Sequence, residues 1–68
     1  MKDINHALRT NIRTCRHRHG WSQDKLASKS GLHRAYIGQI ERGEKSIGLI
    51  NLQKLADAMD VDVRDLLD

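Results

Sequence analysis

Ser22-Gln23-Asp24-Lys25-Leu26-Ala27-Ser28-Lys29-Ser30-Gly31-Leu32-His33-Arg34-Ala35-Tyr36-Ile37-Gly38-Gln39-Ile40-Glu41-Arg42-Gly43 is the stretch that decides the reading of this 68-residue chain. It contains the same local pattern twice. A capping position is flanked by an apolar residue just before it and another five positions later: Trp21 and Leu26 around Ser22, then Leu32 and Ile37 around His33. This is the hydrophobic staple, in which the residue before the N-cap packs on the fourth helical residue and sets the angle of entry. Ser30-Gly31 closes the first helix after one and a half to two turns, and Gly43 closes the second at about Arg42. Two brief helices are therefore joined by the tight link Ser30-Gly31-Leu32. Gly31 can take positive φ without a Cβ penalty, and Ala27 is small enough for a steep, close crossing. Leu26, Leu32, Ile37 and Ile40 lock the crossing from below. Residues 33, 34, 35, 36 and 39 are left pointing outward.

Working outward, the staple recurs as Ile47 and Leu52 around Gly48, and as Val61 and Leu66 around Asp62. The helix after Gly48 packs through Leu52, Leu55, Ala56 and Met59 and closes at Met59-Asp60. The last helix, about 63 to 67, is little more than one turn. Upstream, Ile4, Leu8, Ile12, Cys15 and, weakly, His19 recur every three or four positions, predicting a helix over about 4 to 19 with Gly20 as its stop. Sustained period-2 alternation, internal repeats and low-complexity segments are absent from the sequence. The expectation is an all-α, compact five-helix fold, residues 1–68 forming one domain. A short Gly-containing link between two steeply crossed helices, here at about 23–42, marks a helix-turn-helix, whose second helix enters the DNA major groove.

Composition narrows the function. A chain this short buries a modest core, which excludes a large catalytic cavity or a Rossmann-type cofactor fold and makes self-association useful. Its single Cys forms no internal disulfide, and thiolates alone cannot assemble a structural zinc site, so a reducing, cytoplasmic setting is expected. Met1-Lys2-Asp3-Ile4-Asn5-His6 begins no apolar run, and no stretch approaches the ~18 apolar residues of a membrane span. Charge is unevenly placed. Residues 1–34 hold eight Lys and Arg against Asp3 and Asp24, or +6, whereas residues 35–68 hold four against seven acidic residues, or −3. Such a split gives an electropositive side for a polyanion, with nucleic acid the first candidate, or else a lopsided solvated surface.

Ser22-Gln23-x-x-Leu26-Ala27-x-x-x-Gly31-Leu32-x-x-x-x-Ile37-x-x-Ile40-Glu41-x-Gly43, with Leu52-x-x-Leu55-Ala56-x-Ala58 and Val61-x-Val63-x-x-Leu66-Leu67, resembles the phage Cro and repressor (XRE-like) type of helix-turn-helix regulator over nearly the whole chain. Within it, His33 to Gly43 is similar to the controller proteins that time restriction-modification genes. The resemblance implies a lambda-repressor-like fold with residues 33–42 as recognition helix. It places Arg34 where a guanidinium can fork onto guanine O6 and N7, the commonest specific major-groove contact. Gln39 can pair with adenine or orient Arg34. Tyr36 can pack on a thymine methyl, bond a phosphate, or fill the edge of the core. His33 and Ala35 complete the base-facing set. Ser22 and Gln23 open the preceding helix, whose free N–H groups attract a phosphate, and Arg42, Lys45 and Ser46 would meet the flanking backbone or stay solvated. Arg16 and Glu41 resemble a structural ion pair of the family. Trp21 is read as core, covering Leu26.

Ile47, Leu49 and Ile50 exceed what the fourth helix needs for its own core, and with Val63 and Leu67 they form an expected homodimer patch. Two heads on half-sites ~34 Å apart would bind a pseudo-palindrome. Departures from the family pattern lie at Ile47 and Gly48, where Pro and Ser or Thr are common, and at Asp60, which replaces a Gly in a position needing left-handed geometry. His17 and His19 point apart on a helix, while Cys15 and His19 share a face, and two ligands do not make a metal site. Ser22 has no adjacent base, so no enzyme, cofactor or small-molecule ligand is expected. Two other classes stay open: an antitoxin-type protein-interaction module, disfavoured by a chain that ends at Asp68 just after its last helix, and non-specific nucleic-acid binding, which would show a salt slope alone.

Overall fold

The computed structural model describes the backbone of residues 4–68 and the side chains from Asn5 onward. Lys2, Asp3 and the side chain of Ile4, which the charge count and the apolar face of the first helix include, lie outside the described residues. Five helices follow one another: α1 (Ile4–Arg18), α2 (Gln23–Ser30), α3 (Arg34–Glu41), α4 (Leu49–Ala58) and α5 (Val63–Leu67). No strand occurs among the described residues, and no helix is long and apolar enough to cross a membrane.

All four staples are in place. Leu26, Ile37, Leu52 and Leu66 are buried, and their partners Trp21, Leu32, Ile47 and Val61 lie half-buried against the same core. Two helix starts add a side-chain cap. Ser22 Oγ accepts from the Lys25 N–H at 3.1 Å, and Asp62 forms a capping box with Asp65. His33 and Gly48 cap nothing with a side chain, so α3 and α4 begin on the staple alone. Three helix ends close by the Schellman pattern, with the third residue after the helix reaching back over the last turn: Trp21 N–H to Arg16 O, Glu44 N–H to Gln39 O, and Val61 N–H to Ala56 O. At the last of these Asp60 holds φ at 56°, the left-handed geometry its position requires.

The link between α2 and α3 depends on Gly31, at φ 76°, whose N–H bonds Ala27 O at 2.9 Å. A Cβ built there meets nothing within 4 Å, so the cost of a side chain is the backbone conformation alone. Gly31→Ala is accordingly expected to destabilise by about 1–2 kcal/mol, read from urea midpoints at unchanged m. A second glycine makes room by its bareness: Gly38, buried in mid-α3, lies under the Arg42 guanidinium, 2.9 Å from where a Cβ would stand, and beside Gln23.

α1 packs on α5 and α3, α2 on α3 and α4, and α4 on α5. Leu8 and Ile12 of α1, Leu26 of α2, Ile37 and Ile40 of α3, Leu55 and Ala56 of α4, and its C-cap Met59 meet in the centre. The Asn11 amide donates to Leu66 O at 2.9 Å and ties α1 to the end of α5. The weak apolar part expected of His19 is corrected. Its ring is exposed, stacks on Trp21 with centroids 4.5 Å apart, and places Nε2 2.8 Å from Met59 O.

One charged pair sits inside. Arg16 and Glu41 are only 7% and 5% exposed. Arg16 Nε and Nη2 donate to the two Glu41 oxygens at 2.8 and 2.9 Å, its Nη1 donates to Trp21 O at 2.9 Å, and Gln23 Nε2 donates to Glu41 at 3.2 Å. Among the described residues no buried side-chain polar atom lacks a partner. Burial pushes the Glu41 carboxyl up, but hydrogen bonds from Arg16 and Gln23 and the charges of Arg16 and Arg13 outweigh it, holding the group below its ordinary 4.5. A carboxyl lowered on folding stabilises the native state above its unfolded pKa, and this contribution is lost as pH falls through the folded value. Unfolding free energy is expected to be level through this group above about pH 5.5 and to fall below about pH 4.5. Glu41→Gln should flatten that acid limb in denaturation curves taken across pH.

Candidate nucleic-acid interface

The outward side of α3 exists because its inward residues, Ile37 and Ile40, are committed to the core at a 3.6-residue period. His33 is the N-cap rather than a helical residue, and Arg34 is the first residue of the helix. His33, Arg34 and Ala35 are exposed, and Tyr36 and Gln39 are half-buried. A shallow hollow beside α3 is lined by Leu32, His33, Ala35, Tyr36, Gln39 and Lys45, with Gly31 and Asn51 completing its wall. The structure thus gathers most of the predicted base-facing set, and Lys45 with it, around one depression. Tyr36 is both a surface and a packing residue: its ring rests on the core and its hydroxyl accepts from Asn51 Nδ2 of α4 at 3.1 Å.

Arg34 stands on the other flank, toward α2, where its Nε lies 3.2 Å from a carboxylate oxygen of Asp24. Both side chains stay largely open to solvent, at 63% and 76%. The groups expected to meet phosphate are more engaged than their spacing implied. The Ser22 hydroxyl is spent on capping α2, and one Gln23 amide hydrogen goes to Glu41. Arg42 follows α3 as its C-cap and is held by Glu44, with Nε at 2.6 Å and Nη2 at 3.2 Å from its two oxygens. Lys45 and Ser46 are exposed, and Ser46 lines a different cleft with Arg9, Gly43 and Ile47.

Three residues that bear on α3 and its C-terminal turn were not singled out in the sequence. Arg9 spreads its guanidinium over Gly43 and pairs through Nη2 with His6 Nδ1 at 2.9 Å. Arg13 is exposed, and its charge reaches Glu41 at the end of α3. Arg9, Arg13 and Arg16 recur at helical spacing, so the face that carries Arg16 to α3 carries the other two toward it. Asn51 left no such trace, because its pairing with Tyr36 crosses between helices. Of the five residues expected on a dimer patch, Ile47 and Val63 are half-buried against this chain's own core. Leu49 and Ile50, 77% and 76% exposed, and Leu67 remain as apolar surface. The Cys15 thiol is pushed up mainly by burial, which makes it a weak nucleophile.

Comparison with known proteins agrees with the fold. A family profile described as Helix-turn-helix matches residues 12–66. Control protein C.SmaI of Serratia marcescens is 45% identical over 65 residues, covering 96% of this chain and 77% of that protein. Among solved structures, the restriction-modification controller protein C.AhdI from Aeromonas hydrophila superposes with a TM-score of 0.87 at 40% identity, over 91% of this chain and 94% of its own. SinR of Bacillus subtilis, the master regulator for biofilm formation solved in complex with DNA, superposes with a TM-score of 0.85 at 32% identity, over 90% and 98%. The chain belongs to the Helix-turn-helix family of DNA-binding transcription regulators of the controller-protein, XRE type.

Proposed function

We propose that the protein is a cytoplasmic regulator whose homodimer binds a pseudo-palindromic operator, laying one α3 in each of two major grooves. The observation that carries the reading is the placement of Arg34. It is a long, exposed, permanently charged fork at the first turn of a helix whose opposite face is locked into the core. There it reads guanine, with Tyr36, Gln39, Ala35 and His33 offering contacts around the adjoining hollow. Phosphate contacts fall to the start of α2, at Ser22 and Gln23, through backbone N–H groups and the second Gln23 amide hydrogen. On the far side they fall to Lys45, Ser46 and an Arg42 that exchanges Glu44 for the DNA backbone. The controller-protein relatives make the region upstream of restriction-modification genes the first place to look for the operator.

A single head of this size offers few base contacts, and two-fold pairing doubles them on a symmetric site. Leu49, Ile50 and Leu67 supply the apolar surface for it. Ile50→Asp places a charge in that surface without touching the core. It is expected to move sedimentation from dimer toward monomer while the thermal midpoint of the monomeric fold changes little. An unchanged sedimentation profile would remove the dimer from the proposal. The whole reading is tested by enriching a random duplex library on the purified protein. A two-fold symmetric motif occupied by two protomers supports it, and the absence of any enriched motif counts against it.

A further inference from the structure

We infer that Asp24 is a positioning residue for base recognition: its carboxylate stands beside the inner nitrogen of the Arg34 guanidinium and draws that side of the fork toward α2, so that the outer edge is presented to a guanine. The inference rests on the proposed reading of α3 as the groove helix. Asp24 occupies the first turn of α2, at the end that helix offers to phosphate. A carboxylate there repels a polyanion of any sequence, which lowers affinity indiscriminately. Its contribution to folding is small, because an exposed ion pair is worth little and is further screened by salt. What it does supply is geometry. The Asp24 oxygen lies 3.2 Å from Nε as an ion pair, and among the described residues neither Nη1 nor Nη2 makes a hydrogen bond, which leaves both for the two-pronged guanine contact. Arg carries many rotamers, and a pair that selects one of them before DNA arrives reduces the ordering cost on binding.

The second arginine of this surface shows what a different arrangement does. Glu44 grips Arg42 through Nε and through Nη2, occupying the outer edge as well as the inner nitrogen. It therefore competes with DNA for Arg42 and aims nothing at a base. The two acidic residues should thus behave oppositely when their charge is removed. Glu44→Gln raises affinity for all duplexes alike. Asp24→Asn raises affinity for unrelated duplex but lowers discrimination.

The test measures binding by fluorescence anisotropy to the selected operator and to three variants carrying the other base pairs at the position Arg34 reads. Asp24→Asn is expected to lower the preference for guanine there about three- to ten-fold, between the worth of an exposed pair and that of a full bidentate contact. In an Arg34→Ala background the same substitution should leave discrimination unchanged, a coupling that loss of a favourable helix-end charge would not produce. Equal gains on all four duplexes with the preference intact would overturn the inference, making Asp24 a surface charge only. Failure of the underlying reading looks different. There Arg34→Ala alone leaves every base preference as it was, and the inference falls with it.

Discussion

Arg16→Ala is expected to cost about 3–5 kcal/mol of folding stability, the usual penalty for removing one partner of a buried ion pair. A domain of this length has about 3–10 kcal/mol in total at ~0.05–0.15 kcal/mol per residue, so the variant should be largely unfolded near 37 °C. Three contacts go at once: both hydrogen bonds to Glu41, which join α1 to α3, and the bond to Trp21 O, which holds the chain between α1 and α2. Glu41 is left buried with, among the described residues, Gln23 as its one remaining side-chain hydrogen-bond donor. Most of the loss is the stranded charge rather than the worth of the pair. Arg16→Met combined with Glu41→Leu should therefore be more stable than either single variant, because two apolar side chains of similar volume leave nothing unpaired. Urea denaturation of the natural protein, Arg16→Ala, the two single variants and the double variant checks both statements. If Arg16→Ala shifted stability by less than about 1 kcal/mol, the pair would behave like a surface bridge and this account of the core would be wrong.

Arg34→Ala has the largest expected effect on DNA binding. A bidentate guanidinium–guanine contact contributes about 1–3 kcal/mol of discrimination, roughly 5- to 150-fold in affinity, in each half-site. The loss should fall on operators with the preferred base pair and vanish on operators that already carry another base there. Folding should be unaffected, because Arg34 is exposed and, among the described residues, paired only with the likewise exposed Asp24. Lys45→Ala provides the contrast. Loss of a phosphate contact weakens binding to every sequence and lowers the salt slope by about 1. Competition binding on the variant operators, repeated at several salt concentrations, separates the two behaviours. A uniform loss on Arg34→Ala would reassign that residue to the backbone.

Much of the fold was legible because it is written in short-range pairs. Each staple, such as Leu32 with Ile37, spans five residues and acts within one helix start, and Gly31 marks its turn by a conformation that side chains disfavour. All five helices follow from such local signals, with ends within one residue of those expected. The interface was legible as a face and not as a set of contacts. Helical period says that residues 33 to 36 and 39 point away from Ile37 and Ile40. It says nothing of Asp24 meeting Arg34, Glu44 taking Arg42, or Asn51 reaching Tyr36, since these depend on how separate elements lie against one another. The same limit explains Ile47 and Val63. A count of apolar residues assigned them to a partner, whereas both are needed to close this chain's own core, leaving Leu49, Ile50 and Leu67 outside. Gly38 was unreadable for a related reason: the room it leaves is used by Arg42 and Gln23, from its own C-terminal turn and from the neighbouring helix.

The central claim is that α3 lies in the major groove with Arg34 on a guanine. Methylation interference on the selected operator tests it most directly, since dimethyl sulfate places its methyl group on guanine N7, in the major groove and at the atom Arg34 would contact. The account predicts one symmetry-related guanine in each half-site whose methylation blocks binding of the natural protein. The same guanine should become indifferent to methylation when Arg34→Ala is used, while interference elsewhere persists. A pattern unchanged by Arg34→Ala, or one confined to adenine N3 in the minor groove, would contradict it.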